Sequence, residues 1–358
     1  LGTMERYEKE PRPLGEGTYA IVYRGREKAT GREVALKKIK LGEYKKDGVT
    51  FAAIREMKLL QELHHPNVIG LTDVFVHRQN IYCVNELAIS DLEHVIMDKT
   101  VTFTDADIKS FMKMTLEGVA YLHANWVLHR DLKPNNLLIS REDYAIKIAD
   151  FGLARQFAGD EKRLSPDVIT RWYKPPELFF GCEQYSFGVD MWSMGCIFAE
   201  LLLRKPLFPG SREMEQLALI FQVTGSPTEE NWPGVTLFRD FVEFEHTDPQ
   251  PWESIMPAGT SPLALDLLSK MLVLDPNKRC TAAQALEHPY FSVKPDPTPS
   301  KQLPISKRVL FKGALAPFQS SSSDGPSLSS AARSSAEGSS SGPSSSLGGM
   351  AARSLTFD

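Results

Sequence analysis

The chain has 358 residues, room for about two domains of ordinary size. Its 42% hydrophobic content supports a large core, and a net charge of -4 gives no global basic field of the kind that draws nucleic acid or a membrane surface. No apolar run approaches the ~18 residues of a membrane span, no signal-peptide pattern opens the chain, and Cys83, Cys182, Cys196 and Cys280 are far apart with no CxxC pair, which argues against a zinc site or disulfide framework and fits a reducing intracellular compartment.

Leu1, Gly2 and Thr3 precede Met4 and read as an expression scar, so residues 1–6 are taken as an N-terminal extension. "YEKEPRPLGEGTYAIVYRGRE" and "REVALKKIK" are short β-branched and aromatic runs broken by turn residues, which predicts strands. "TFAAIREMKLLQEL" has helical periodicity. From Asp91 the pattern changes to longer helices, including "DADIKSFMKMTLEGVAYLHAN" and "VDMWSMGCIFAELLL". A β-rich part followed by a helical part predicts an α+β, two-lobed fold with a cleft between the lobes. After Phe291 the composition turns to Pro, then to Ser, Gly and Ala. Such a segment buries too little apolar surface to offset its ordering entropy, so residues 293–358 are expected to form a disordered tail.

Gly15 and Gly17 in "GEGTYAIVYRG" let a backbone turn approach a phosphate and offer it bare N–H groups. A glycine pair alone is more often just a hairpin turn. Lys37 lies within the apolar run "VALKK", and Glu56 shares a helix face with Ala53, Met57, Leu60 and Leu63. A carboxylate on an apolar stripe is costly unless a cation meets it, and Lys37 is the natural partner. "HRDLKPNN" supplies Arg130, Asp131, Lys133 and Asn136; "ADFGLA" supplies Asp150. Phosphoryl transfer needs a carboxylate to orient a hydroxyl and accept its proton, and hard oxygen ligands for magnesium. Asp131 fits the first need, and Asn136 and Asp150 the second. Lys133 suits the neutralisation of charge on a transferred group.

In this order and spacing, these residues resemble the signature of eukaryotic protein kinases, over roughly Tyr7 to Phe291. The resemblance is closer to cyclin-dependent kinases, through "FAAIRE", "TRWYKPPE" and "TGSPTEENWPGV". It is closer still to their CDK-activating, transcription-factor-associated branch, through "YLHANWVLHRDLKPNN" and "PYFSVKPDPTPSKQLP". It implies an N-lobe and hinge over residues 7–88 and a C-lobe over 89–292 with an insert around 225–260. It implies ATP and Mg2+ as cofactors. The ATP site would take Leu14, Gly15, Glu16, Gly17, Val22, Ala35, Lys37, Asn85, Glu86, Ala88 and Leu138, with Asn85 at the back of the adenine pocket where this family usually has Phe. A one-residue slip in that register would put Val84 there instead.

The resemblance further implies that Thr170 hydrogen-bonds Asp131 and Lys133, that Asp190 braces the catalytic loop, and that Glu177 pairs with Arg279. Arg55, Arg130 and Arg155 would converge on a phosphorylated Ser165, a sensible phosphate receptor. Thr18 and Tyr19 resemble the inhibitory phosphosites of cell-cycle members. Gly159, Asp160 and Glu161 stand where the branch often has a second phosphosite; they read either as fixed acidic charge or as a solvated loop. "KRVLF" (307–311) matches a cyclin-groove docking pattern and a phosphatase docking pattern, and also reads as an uninvolved tail segment.

The implied function is a cyclin-dependent Ser/Thr kinase of the CDK-activating type. It would work with a cyclin and a RING-type assembly factor on other cyclin-dependent kinases and on the RNA polymerase II tail, in the nucleus with a cytoplasmic pool as the alternative. A cell-cycle cyclin-dependent kinase and a pseudokinase scaffold are the competing readings; intact Lys37, Glu56, Asp131, Asn136 and Asp150 count against the scaffold. Without a cyclin, the "FAAIRE" helix is expected to be displaced, or the activation loop mobile, and the chain weakly active.

Overall fold

The computed structural model of the chain describes residues 3–16, 20–39, 51–156 and 163–311. Gly17, Thr18 and Tyr19, Gly159 to Glu161, and everything after Phe311 lie outside the described residues. All described residues belong to the unit Leu1–Ser321.

Five antiparallel strands build the N-terminal part: β1 (Tyr7–Glu16), β2 (Ala20–Glu27), β3 (Glu33–Ile39), β4 (Leu71–His77) and β5 (Asn80–Glu86), in the order β1-β2-β3-β5-β4. Alternation along β3 and β5 puts Val34, Leu36, Tyr82 and Val84 on one face, where they pack with Tyr7 and Phe75. The opposite face carries Ala35, Lys37, Cys83 and Asn85. Helix α1 (Phe51–Glu62) joins the two parts: Leu59 and Leu60, with Leu63 just beyond, pack into the main core.

Strand β6 (Ala88–Asp91) leads out of the hinge into α2 (Leu92–Met97), which Asp91 caps by accepting from the His94 N–H. Helix α3 (Asp105–Ala124) opens with a capping box between Thr104 and Asp107. Strands β7 (Val127–Leu128), β8 (Leu137–Ser140), β9 (Ile146–Ile148) and β10 (Arg155–Gln156) then carry the catalytic-looking motifs on their connections. The rest of the lobe is α4 (Pro176–Phe179), α5 (Gly188–Leu203), α6 (Glu213–Thr224), α7 (Trp252–Ile255), α8 (Pro262–Met271), α9 (Ala282–Leu286) and α10 (Pro289–Ser292). Helix α5 is the centre of the core, with thirteen of its residues buried from Val189 to Leu201; a helix apolar all round is a buried one.

One expectation is corrected here. The tail does not begin at Val293. Residues 293–311 form an ordered strap along the C-terminal lobe, with turns of 3-10 helix at Ser300–Gln302 and Lys307–Val309. Thr298 N donates to Ala106 O at 3.0 Å, and its hydroxyl donates to Asp107 at 2.7 Å. Lys109 Nζ donates to the carbonyls of Val293 and Pro295 at 2.9 and 3.0 Å, and Ser300 Oγ donates to Asp143 O at 2.7 Å. Only Leu303 and Val309 are buried apolar residues in the strap. It is held chiefly by hydroxyl and backbone hydrogen bonds, which a count of hydrophobic residues overlooks.

Candidate active site

A cavity of about 290 Å³ opens between the two lobes. Leu14, Gly15 and Val22 from β1 and β2, with Ala35 from β3, form its roof; Leu138 of β8 is also in its wall. Asn85, Glu86 and Ala88 line the hinge side. A Cβ built on Gly15 would meet nothing within 4 Å, so no protein neighbour demands glycine there, and the space beside it is the cavity. Glu16 is exposed and outside the lining. Lys37 is also outside it, but Nζ pairs with Glu56, which does line the cavity, at 2.7 and 2.9 Å.

Asn85 faces the cavity, and Val84 is fully buried on the opposite face of β5. Asn85 Nδ2 donates to Gly70 O at 3.2 Å. Glu86 anchors the hinge: its carboxylate accepts from Gly70 N at 2.7 Å and pairs with Lys147 at 2.9 Å. Sequence reasoning missed Ile69, Leu87, Ala149 and Phe311, which also line the cavity. Ala149 is signalled by its place before Asp150; the other three are walls set by tertiary placement.

The Lys37–Glu56 pair is formed, with α1 standing inward, the placement that the meeting of these two residues requires. Burial lowers the Lys37 pKa, but attraction and a hydrogen bond from Glu56, with Asp150 adding to them, outweigh it and hold the ammonium above its ordinary value. The packing of Leu59, Leu60 and Leu63, and an Arg55 Nη1 hydrogen bond to Gly152 O at 3.4 Å, hold the helix in.

The loop before β8 gathers the polar chemistry. Asp131 is buried. Its Oδ1 accepts from the Thr170 hydroxyl at 2.8 Å and from Thr170 N at 3.2 Å. Its Oδ2 pairs with Lys133 Nζ at 2.8 Å and accepts from Asn136 Nδ2 at 3.1 Å. Asn136 Nδ2 also donates to Asp131 O at 2.8 Å, which turns the amide oxygen away from these acceptors. Asp150 is exposed, lines the cavity, and accepts a long bond from Gly152 N at 3.4 Å.

Arg130 (φ 65°) and Asp150 (φ 63°) both sit in the left-handed region, which for non-glycine residues costs about 1–3 kcal/mol each and must be held by the surroundings. Asp190 holds the first. Its carboxylate accepts from the backbone N–H groups of His129 and Arg130 at 3.0 and 2.9 Å and bonds the His123 ring at 3.0 Å. Burial pushes this carboxyl up, yet the His123 bond and charge, with the loop donors, bring it below its ordinary value. Glu177 and Arg279, both fully buried, pair at 2.6 and 2.7 Å and tie α4 to the segment after α8.

Arg55, Arg130 and Arg155 donate to carbonyls of one backbone stretch: Gly152, Leu153 and Ala154 respectively. Arg130 Nη1 also donates to the Tyr185 hydroxyl at 2.8 Å, which donates to Ser165 O at 2.7 Å. Arg130 is therefore linked through Tyr185 to the backbone of exposed Ser165, a connection that the sequence did not signal.

A model of the protein kinase domain matches residues 7–291. The chain belongs to the protein kinase family. Cyclin-dependent kinase 7 of Xenopus laevis is 50% identical over 293 residues, covering 81% of this chain and 83% of that protein. Serine/threonine-protein kinase crk1 of Schizosaccharomyces pombe is 50% identical over 300 residues, covering 83% and 88%. A solved structure of the CAK complex from Chaetomium thermophilum bound to ATP-gamma-S contains a chain 45% identical to this kinase, at a TM-score of 0.79, covering 83% of this chain and 94% of that one. The kinase is a Ser/Thr protein kinase of the cyclin-dependent, CDK-activating branch, with the two-lobed fold expected from its sequence.

Proposed function

We propose that this kinase, docked to a cyclin, transfers the γ-phosphate of ATP to Ser or Thr in the activation loops of other cyclin-dependent kinases and in the Ser-Pro repeats of the RNA polymerase II tail. The observation that carries the reading is Asp131, held on both oxygens by Thr170, Lys133 and Asn136, together with a cavity lined by Glu56, which pairs with Lys37. The names of its relatives support the substrate class, and the Chaetomium complex supports ATP and a cyclin-type partner. A RING-type assembly factor and a nuclear location belong to the same reading.

The residues present suit the cofactors. Adenine would lie between the Ala35 and Leu138 side chains and meet the backbone of Glu86 and Ala88. Lys37, oriented by Glu56, would hold the α- and β-phosphates. Asn136 and Asp150 offer hard oxygens for magnesium, which when bound neutralises phosphate charge. Asp131 orients the substrate hydroxyl and receives its proton. Lys133 stabilises charge on the transferred group. Phosphate on Ser165 would draw Arg55, Arg130 and Arg155 off the backbone carbonyls and onto itself, a stronger, charge-assisted contact. Ile54 is 48% exposed on α1, an apolar contact point for the cyclin.

The test is capture of the full-length protein from cells with identification of its partners, followed by phosphate transfer by that complex to a catalytically dead cyclin-dependent kinase and to a Ser-Pro repeat peptide. A cyclin in the complex and labelling of both substrates are expected. Labelling of neither would contradict the reading.

A further inference from the structure

The strap after α10 ends in the wall of the cavity. Phe311 N donates to Ile89 O at 2.7 Å, and Ser90 Oγ donates to Val309 O at 2.6 Å. Ile89 and Ser90 directly follow the hinge residue Ala88 in β6. Both are fully buried, as is most of Val309. The Ser90 hydroxyl, which sees no water, makes its short hydrogen bond to the strap. Phe311 also meets the His94 ring edge-on at 5.9 Å. Two polar bonds and one buried apolar side chain within three residues therefore fix where this ring sits. It lines the same cavity as Leu14, Ala88 and Leu138.

We propose that Phe311 is a nucleotide-contacting residue, supplied to the ATP site from outside the segment that matches the kinase family. The ring carries no charge and is anchored beside the hinge through Ile89 and Ser90, so it packs against the adenosine part and not the phosphates. The cavity keeps about 290 Å³ with the ring in place; the ring walls the site and does not fill it. The strap thereby contributes to nucleotide affinity. It also gives "KRVLF" an occupation within its own chain: Val309 is buried and Phe311 is in the cavity wall, so docking of this motif on another protein would strip the strap from the hinge.

This inference rests on the nucleotide-binding reading of the cavity. It is tested by calorimetric titration of ATP with magnesium into the full-length kinase, wild type, Phe311→Ala and Phe311→Tyr. Loss of an aromatic contact predicts an affinity about 3- to 10-fold weaker for Phe311→Ala, with Phe311→Tyr close to wild type. Equal affinities for wild type and Phe311→Ala would overturn the inference, as would tighter binding by Phe311→Ala, which would make the ring an obstruction. Failure of the wild type itself to bind would overturn the reading beneath it.

Discussion

The Thr170 hydroxyl donates to Asp131 Oδ1 at 2.8 Å and accepts from Lys133 Nζ at 2.9 Å, while Lys133 also reaches Asp131 Oδ2 at 2.8 Å. The three side chains form a closed triangle, so the carboxylate has one defined orientation before any substrate arrives. Thr170→Ala removes the hydroxyl but leaves the backbone N–H bond to Oδ1. Loss of one hydrogen bond of this kind, about 0.5–1.5 kcal/mol, predicts kcat/KM lower by roughly 2- to 12-fold. Thr170→Ser should keep most of the rate. Steady-state phosphorylation of a Ser-Pro peptide checks both, and an unchanged rate for Thr170→Ala would show that the triangle does not position Asp131.

Glu200 gives a pH dependence that does not involve the catalytic residues. Burial pushes its carboxyl up from 4.5 to about 7, against the hydrogen bond from the Tyr173 hydroxyl; nearby Glu93 pushes the same way as burial and Lys99 opposes it. The folded protein thus binds this proton more tightly than the unfolded chain. The stability it contributes is complete below about pH 4.5 and is lost as pH rises to about 7, a loss on the order of 2–3 kcal/mol. Glu200→Gln keeps an acceptor for Tyr173 and removes the ionisation. Urea unfolding at pH 5 and pH 8 should show the variant losing less stability than wild type across that interval. Parallel pH profiles would mean that Glu200 does not titrate as described.

The candidate catalytic residues could be singled out because the chemistry proposed for them fixes residue type and spacing: few side chains could do the work proposed for Asp131, Asn136 or Asp150. The Lys37–Glu56 pair followed from the cost of a carboxylate on an apolar stripe. The contacts that seat α1 were not legible, because Leu59 and Leu60 pack against a lobe formed by distant sequence. The strap was misread because hydrophobic content was the criterion, whereas Thr298, Ser300 and Lys109 hold it with polar bonds. Tyr185, the bridge between Arg130 and Ser165, lies in a loop with no pattern to announce it.

Asn85 makes the rear wall of the adenine pocket smaller and more polar than Phe would. Its Nδ2 is engaged with Gly70 O, which leaves Oδ1 to accept from a ligand. Asn85→Phe should change the KM for ATP little, since the contacts proposed for adenine are with hinge backbone groups. Inhibitors that stack on an aromatic rear wall should gain about 0.5–1.5 kcal/mol, and ligands that donate to the amide should lose a similar amount. Affinities measured for both inhibitor types against wild type and variant decide this; an unchanged profile would remove Asn85 from the pocket.

Asp131 is proposed to receive the substrate proton in a site whose nucleotide binding does not depend on it. The direct measurement is phosphate transfer from ATP to a Ser-Pro peptide by wild type and Asp131→Asn, with the nucleotide Kd measured on the same preparations. The account predicts an unchanged Kd and a rate lower by at least ~10²-fold, the low end for loss of a positioned base. Near-full turnover by Asp131→Asn would contradict it.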